Sequence, residues 1–139
     1  MKKLLPLLLV AVLPFGMAQS NQKKTECVNI TLLNRELSEI KALVNGEWEL
    51  VSGGDARELC EYENTFITFA DDQYVWTEDG KAEPGALNWR KTEIETGHKV
   101  YLMDVFYATH PAYPVSVKGD TLILQDCSET RYEYTLIRK

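Results

Sequence analysis

Few side chains in this chain could carry chemistry: two histidines, three cysteines and a handful of carboxylates in turns. A local zinc site needs imidazole or thiolate ligands two to four residues apart, so that one element presents both to the metal. His98 lies in a turn and His110 in a proline-rich loop, and neither has such a neighbour. Asp71-Asp72 and Glu78-Asp79 place carboxylates where calcium could sit, but the spacing is not that of an EF-hand loop, and aspartate is itself a turn former. No Gly-x-Ser-x-Gly elbow is present, and Gly53-Gly54 reads as a flexible turn rather than a phosphate loop. Cys27 could be a reactive thiol, yet nothing beside it would lower its pKa. The expectation is a protein that is not an enzyme and holds no cofactor and no metal.

The aromatic residues say more. Phe69, Tyr74, Trp76, Trp89, Tyr132 and Tyr134 fall on the inward faces of the expected strands. Such rings either fill a core or line a pocket, and inward tyrosine hydroxyls must find partners. Tyr107 and Tyr113, with Pro114, fall in a loop and are expected at a rim.

Two kinds of element must position these rings. Over residues 31–44, Leu33, Leu37, Ile40 and Val44 recur at helical spacing, with Thr31 as N-cap and Asn45-Gly46 as the stop. From Gly46 the period changes to two. Trp48 and Leu50 alternate with Glu47 and Glu49, and a polar loop follows over 52–63. Further strands are expected at 65–70, 74–77, 86–91, 100–106, 115–118, 121–125 and 131–137, with turns at Asp71-Asp72, Asp79-Gly80, Pro84-Gly85, Thr96-Gly97 and Gly119-Asp120. That makes eight strands with connections too short for crossover helices, so neighbours pair antiparallel. Hairpin-linked strands in this number close into an up-and-down barrel, which removes free edges; an open sandwich is the other architecture.

The chain opens with Lys2-Lys3, an apolar run from Leu4 to Phe15, and Gly16-Met17-Ala18, the three parts of a cleavable signal peptide. A cut after Ala18 takes 18 residues from 139 and leaves 121, enough for one core-bearing domain. Residues 19–30 read as a flexible leader, and Asn29-Ile30-Thr31 is a sequon that matters only in a eukaryotic host. The whole chain carries 15 basic and 21 acidic residues; without Lys2 and Lys3 the balance is 13 against 21, or −8. Such a charge disfavours nucleic acid and anionic membrane surfaces, and no membrane span is expected after signal cleavage. The expected location is the periplasm or the exterior.

At Gly46-Glu47-Trp48 the pattern resembles the lipocalins, and more closely the smaller bacterial lipocalin-like domains: a short helix, then Gly-x-Trp on the first of eight meander strands. The resemblance covers residues 31–139. It implies an eight-stranded all-β barrel with an N-terminal helix, closed at one end by Trp48, with Gly46 letting the helix pack tightly and Arg138 stacking on the indole. The family's Thr-Asp motif is absent, since Asp104 lies too early and lacks the preceding Thr. In an oxidising compartment two of the three cysteines are expected to pair. In such a barrel the loops holding Cys60 and Cys127 share one end and their strands are neighbours, which favours a Cys60–Cys127 disulfide and leaves Cys27 free.

An eight-stranded barrel is just wide enough for its own side chains or one small ligand. The resulting expectation is a secreted or periplasmic binding protein for a small apolar ligand. The alternative is a filled barrel that serves as a scaffold for an envelope partner or inhibits an enzyme.

Overall fold

The computed structural model describes residues 28–107 and 109–139. The signal segment, most of the leader and Cys27 lie outside the described residues. Among the described residues one helix, α1 (Leu37–Val44), accompanies eleven strands: β1 (Asn29–Thr31), β2 (Gly46–Gly54), β3 (Leu59–Glu61), β4 (Thr65–Ala70), β5 (Gln73–Glu78), β6 (Lys81–Ala86), β7 (Arg90–Glu93), β8 (Lys99–Tyr107), β9 (His110–Lys118), β10 (Thr121–Asp126) and β11 (Glu133–Arg138). All pairings are antiparallel, in the order β6-β5-β4-β2-β11-β10-β9-β8-β7, with β1 added to β9 and β3 to β2.

The all-β class holds; the closed eight-stranded barrel does not. First and last strands of the meander do meet, β2 against β11, with Arg138 opposite Trp48. The ladder is interrupted elsewhere, and its two margins are β6 and β7. The cause is local. A single strand was expected over 86–91, but Asn88 adopts a left-handed backbone (φ 52°), and residues 87–89 leave the sheet. The chain pairs with β5 before this kink and with β8 after it. At the kink the chain still meets β8, where the Asp104 amide donates to the Leu87 carbonyl at 2.8 Å.

Proline placement explains two further departures. Pro84-Gly85, expected as a turn, lies within β6, a margin strand where a missing N–H goes unneeded. Pro111 and Pro114, expected in a loop, belong to β9. There the register with β10 shifts, so that Ile123 faces Ser116 and Leu124 faces Pro114, and Val115 is bulged out. The bulged Val115 carbonyl accepts the Leu32 amide at 2.9 Å, which docks the N-terminal segment. A second bulge, at Val51 in β2, accepts the Tyr62 amide at 3.1 Å. β2 thereby forks: residues 46–49 pair with β4, and residues 52–54 with β3, inside what was expected to be a polar loop.

The helix is shorter than its periodicity implied. Thr31 is not its N-cap but the last residue of β1, paired with Ser116. Asn34 turns left-handed (φ 62°) and clamps the connection to β8, its side-chain oxygen accepting the Lys99 amide at 2.7 Å and its own amide donating to the Lys99 carbonyl at 2.8 Å. Ile40 and Val44 are the buried face of α1, and Leu32, ahead of it, is fully buried. With Trp48, Leu50, Ile67, Phe69, Leu87, Met103, Leu122, Leu124 and Leu136 they form one continuous core.

Candidate functional site

The helix side of the molecule is sealed. α1 ends with carbonyls that lack helical partners. Arg138 donates to two of them, Leu43 at 3.0 Å and Asn45 at 3.3 Å, and the Trp48 indole N–H takes the Val44 carbonyl at 2.8 Å. The Arg138 guanidinium lies 4.0 Å above the Trp48 ring centroid. Gly46 has a positive φ (133°), and a Cβ there would stand 2.7 Å from Arg138 Nη1, so only glycine leaves the guanidinium its path. The Asp71-Asp72 turn completes the seal. Asp71 exchanges side-chain and backbone bonds with Asn45 and accepts the Trp89 indole N–H at 2.8 Å, and Asp72 pairs with Lys41 at 2.8 Å. These carboxylates are committed to tying α1 to the sheet. Among the described residues, no group of three His, Cys, Asp or Glu side chains is placed to hold a metal ion.

The opposite side is open. A cleft of about 410 Å³ lies between β5, β6, β8 and β11, where β6 and β8 part beyond the Asp104–Leu87 bond. Tyr74, Trp76 and Glu78 alternate along β5 onto its inner wall; Glu83 and Pro84 come from β6, Val105 and Phe106 from β8, Tyr134 from β11 and Tyr62 from the turn after β3. Consecutive residues Val105 and Phe106 both face it because the β8–β9 register is irregular between Met103 and Tyr107. The rings form a run. Trp76 meets Phe106 edge-on (5.7 Å, 86°), Phe106 stacks on Tyr134 (3.8 Å, 14°), and Tyr134 tilts against Tyr132 (5.1 Å, 55°). Each such pair contributes about 0.5–1.5 kcal/mol beyond burial. Two glycines make room for the rings: a Cβ at Gly85 would overlap Tyr74, and one at Gly53 would stand 2.8 Å from Tyr132. Gly53, expected as a flexible turn, is thus a buried strand residue under two tyrosines.

Of the residues expected to face inward, Tyr74, Trp76 and Tyr134 line the cleft. Tyr132 packs behind Tyr134, and the Tyr132 hydroxyl is pushed to higher pKa, first by its hydrogen bond with Cys60 and then by burial. Phe69 belongs to the filled core, and Trp89 packs against that core from the kink. Tyr113, expected at the rim, does not reach the cleft wall. Tyr107 ends β8, and Tyr113 is buried in β9, its hydroxyl donating to Gln125 at 3.1 Å. Burial raises the Tyr113 pKa. Tyr113 instead borders a smaller hollow of about 220 Å³ with Cys127 and Arg131.

Glu83, Phe106 and Tyr62 are not among the expected inward residues, and Glu78, expected in an acidic turn with Asp79, instead lines the cleft from β5. The signal for Glu78 was available: it continues the period-two series Tyr74, Trp76 onto the same face.

The expected Cys60–Cys127 disulfide is absent, and both are free thiols. Their loops do share one end, but β3 carries Cys60 opposite Gly53, toward Tyr132, while the Cys127 amide is drawn to the Pro111 carbonyl of β9 at 3.0 Å. Burial, then the neighbouring Asp126, raises the Cys127 thiol pKa, which disfavours a reactive thiolate.

The chain matches no protein-family model, no curated protein and no solved structure.

Proposed function

We propose that this protein is a non-catalytic binding protein whose cleft takes one small molecule with an apolar body, in a lipocalin-like domain whose barrel is left open at β6 and β7. The cleft carries this reading: about 410 Å³ of concave, ring-lined space lies in the size range of small-ligand sites. Support for the lipocalin-like assignment comes from the short helix, Gly46, and the Trp48–Arg138 stack where first and last meander strands pair. The signal-like segment at residues 2–18 supports a secreted or periplasmic location. The scaffold alternative has less behind it. Leu59 and Val28 are the exposed large apolar side chains among the described residues, too little for an interface patch.

The test is a fluorescence titration with N-phenyl-1-naphthylamine, an uncharged probe that brightens in apolar surroundings. Saturable binding to the native chain is expected, with loss of about tenfold in affinity for Phe106→Ala, whose ring forms the cleft's central wall. Emission that never saturates, or that is indifferent to Phe106→Ala and to Trp76→Ala, would refute the reading.

A further inference from the structure

Resting on the reading of the cleft as a small-molecule site, we propose that its ligand is an organic cation: an amine or quaternary ammonium attached to an apolar body. The β5–β6 register sets Trp76 opposite Glu83 and Glu78 opposite Lys81, and residues directly opposite share a face of the sheet. Glu78 and Glu83 therefore stand on the same face as Tyr74 and Trp76, and both carboxylates line the cleft. Among the described residues, no lysine, arginine or histidine lines it with them. Lys81 lies in the adjoining hollow, yet among the described residues no ion pair engages either glutamate.

The three charge classes of ligand fare differently there. An anion would face two carboxylates and the electron-rich faces of the rings, both repulsive. A neutral molecule would gain only burial. A cation gains burial, two carboxylates, and the attraction of ring faces, which is strongest for indole. Trp76 also donates its indole N–H toward Glu78 Oε1 at 3.4 Å, which sets its ring beside the carboxylate. The net charge of −6 further favours the approach of cations.

Three compounds of one size separate the cases: benzyltrimethylammonium, its uncharged isostere neopentylbenzene, and phenylacetate. Binding is followed by calorimetry and by the Trp76 indole N–H resonance, assigned with Trp76→Phe. The cation is expected to bind at least about tenfold tighter than the isostere, and phenylacetate to leave the resonance unmoved. The Glu78→Gln/Glu83→Gln double variant should lose about tenfold in affinity for the cation and none for the isostere. Both positions are exposed, so the variant should fold. The proposal is overturned if isostere and cation bind alike, or if the double variant holds the cation as well as the native chain does. It is also overturned if a lysine-rich peptide shifts the Trp76 resonance while the free cation does not. A site reading that itself fails looks different: neither cation nor isostere moves that resonance.

Discussion

Arg138 acts on three neighbours at once. It stacks on Trp48, donates to the last carbonyls of α1, and fills the space that Gly46 leaves by lacking a side chain. Arg138→Met keeps the apolar stem but loses the charge and both hydrogen bonds, and should cost about 2 kcal/mol, read as a lower urea midpoint with unchanged slope. Arg138→Lys should recover only part of this, because an ammonium lacks the planar fork. Gly46→Ala should be at least as harmful, since it adds a strained positive φ to a collision with the guanidinium. Asp104 makes a second prediction at this scale. Burial alone would raise its carboxyl pKa, but bonds from Arg90 and Asn88, with the Arg90 charge, more than offset that and hold it below the usual carboxylate value. A depressed folded pKa stabilises the fold above the unfolded value, near 4, and that contribution is lost as pH falls through the folded value. Arg90 is 46% exposed, so screening limits the effect to about 1 kcal/mol. Asp104→Asn should therefore lower stability at pH 7 and flatten its decline in acid, as seen in urea melts from pH 7 to pH 2. A wild-type acid limb retained in the variant would assign the decline to other carboxylates.

At the scale of elements, what the sequence made legible was set by which signals are local. Period-two alternation announces a strand whatever it pairs with, so β4, β5, β8, β10 and β11 are legible near their observed bounds, as is β2 up to the polar residues from Ser52. Proline and glycine announce turns only if the strand they sit in needs every N–H. β6 lies at a margin and β9 is bulged beside Pro114, so both strands were partly read as loops. The missing closure follows from one residue, Asn88, whose left-handed backbone divides the strand expected over 86–91 into the end of β6, a kink and β7. The ring-lined half of the cleft was half visible: Tyr74 and Trp76 declare themselves by alternation, whereas Phe106 enters only through a β8 irregularity that no local pattern marks. The cysteines show the same limit, because loop order places Cys60 and Cys127 at one end but cannot orient side chains. As both are free, replacing either by serine should leave the melting temperature within about 2 °C, whereas losing a bridge would cost 2–5 kcal/mol, or roughly 10 °C or more. In a Cys27→Ser background, thiol titration of the folded chain should count two free groups, at Cys60 and Cys127. A count near zero would restore the bridge.

For the whole molecule, the question is where the folded domain begins. Sequence patterning placed a mobile leader through residue 30, yet β1 pairs residue by residue with β9 from Asn29–Lys118 to Thr31–Ser116. Leu32 then enters the core with 0% exposure, held by the bulged Val115, and Asn34 fastens the next turn to β8. β1 pairs with β9 over Ser116–Lys118, beyond the stretch where β8 pairs with it at Met103–Ala112 and Tyr107–His110. Removing the segment would uncover that part of β9 and open a cavity at Leu32 together. A chain starting at residue 28, the first described residue, is the reference in urea melts. A chain starting at residue 36 should lose more than Leu32→Ala alone, itself about 2–5 kcal/mol, because three ladder pairs go with the leucine. Newly unpaired β9 amides should then exchange with solvent at rates set by local opening rather than global unfolding. Equal stability of the two truncations would return residues 28–35 to the leader and leave β9 with an ordinary exposed edge. Loss confined to the Leu32→Ala amount would assign the whole effect to core packing and none to the added strand.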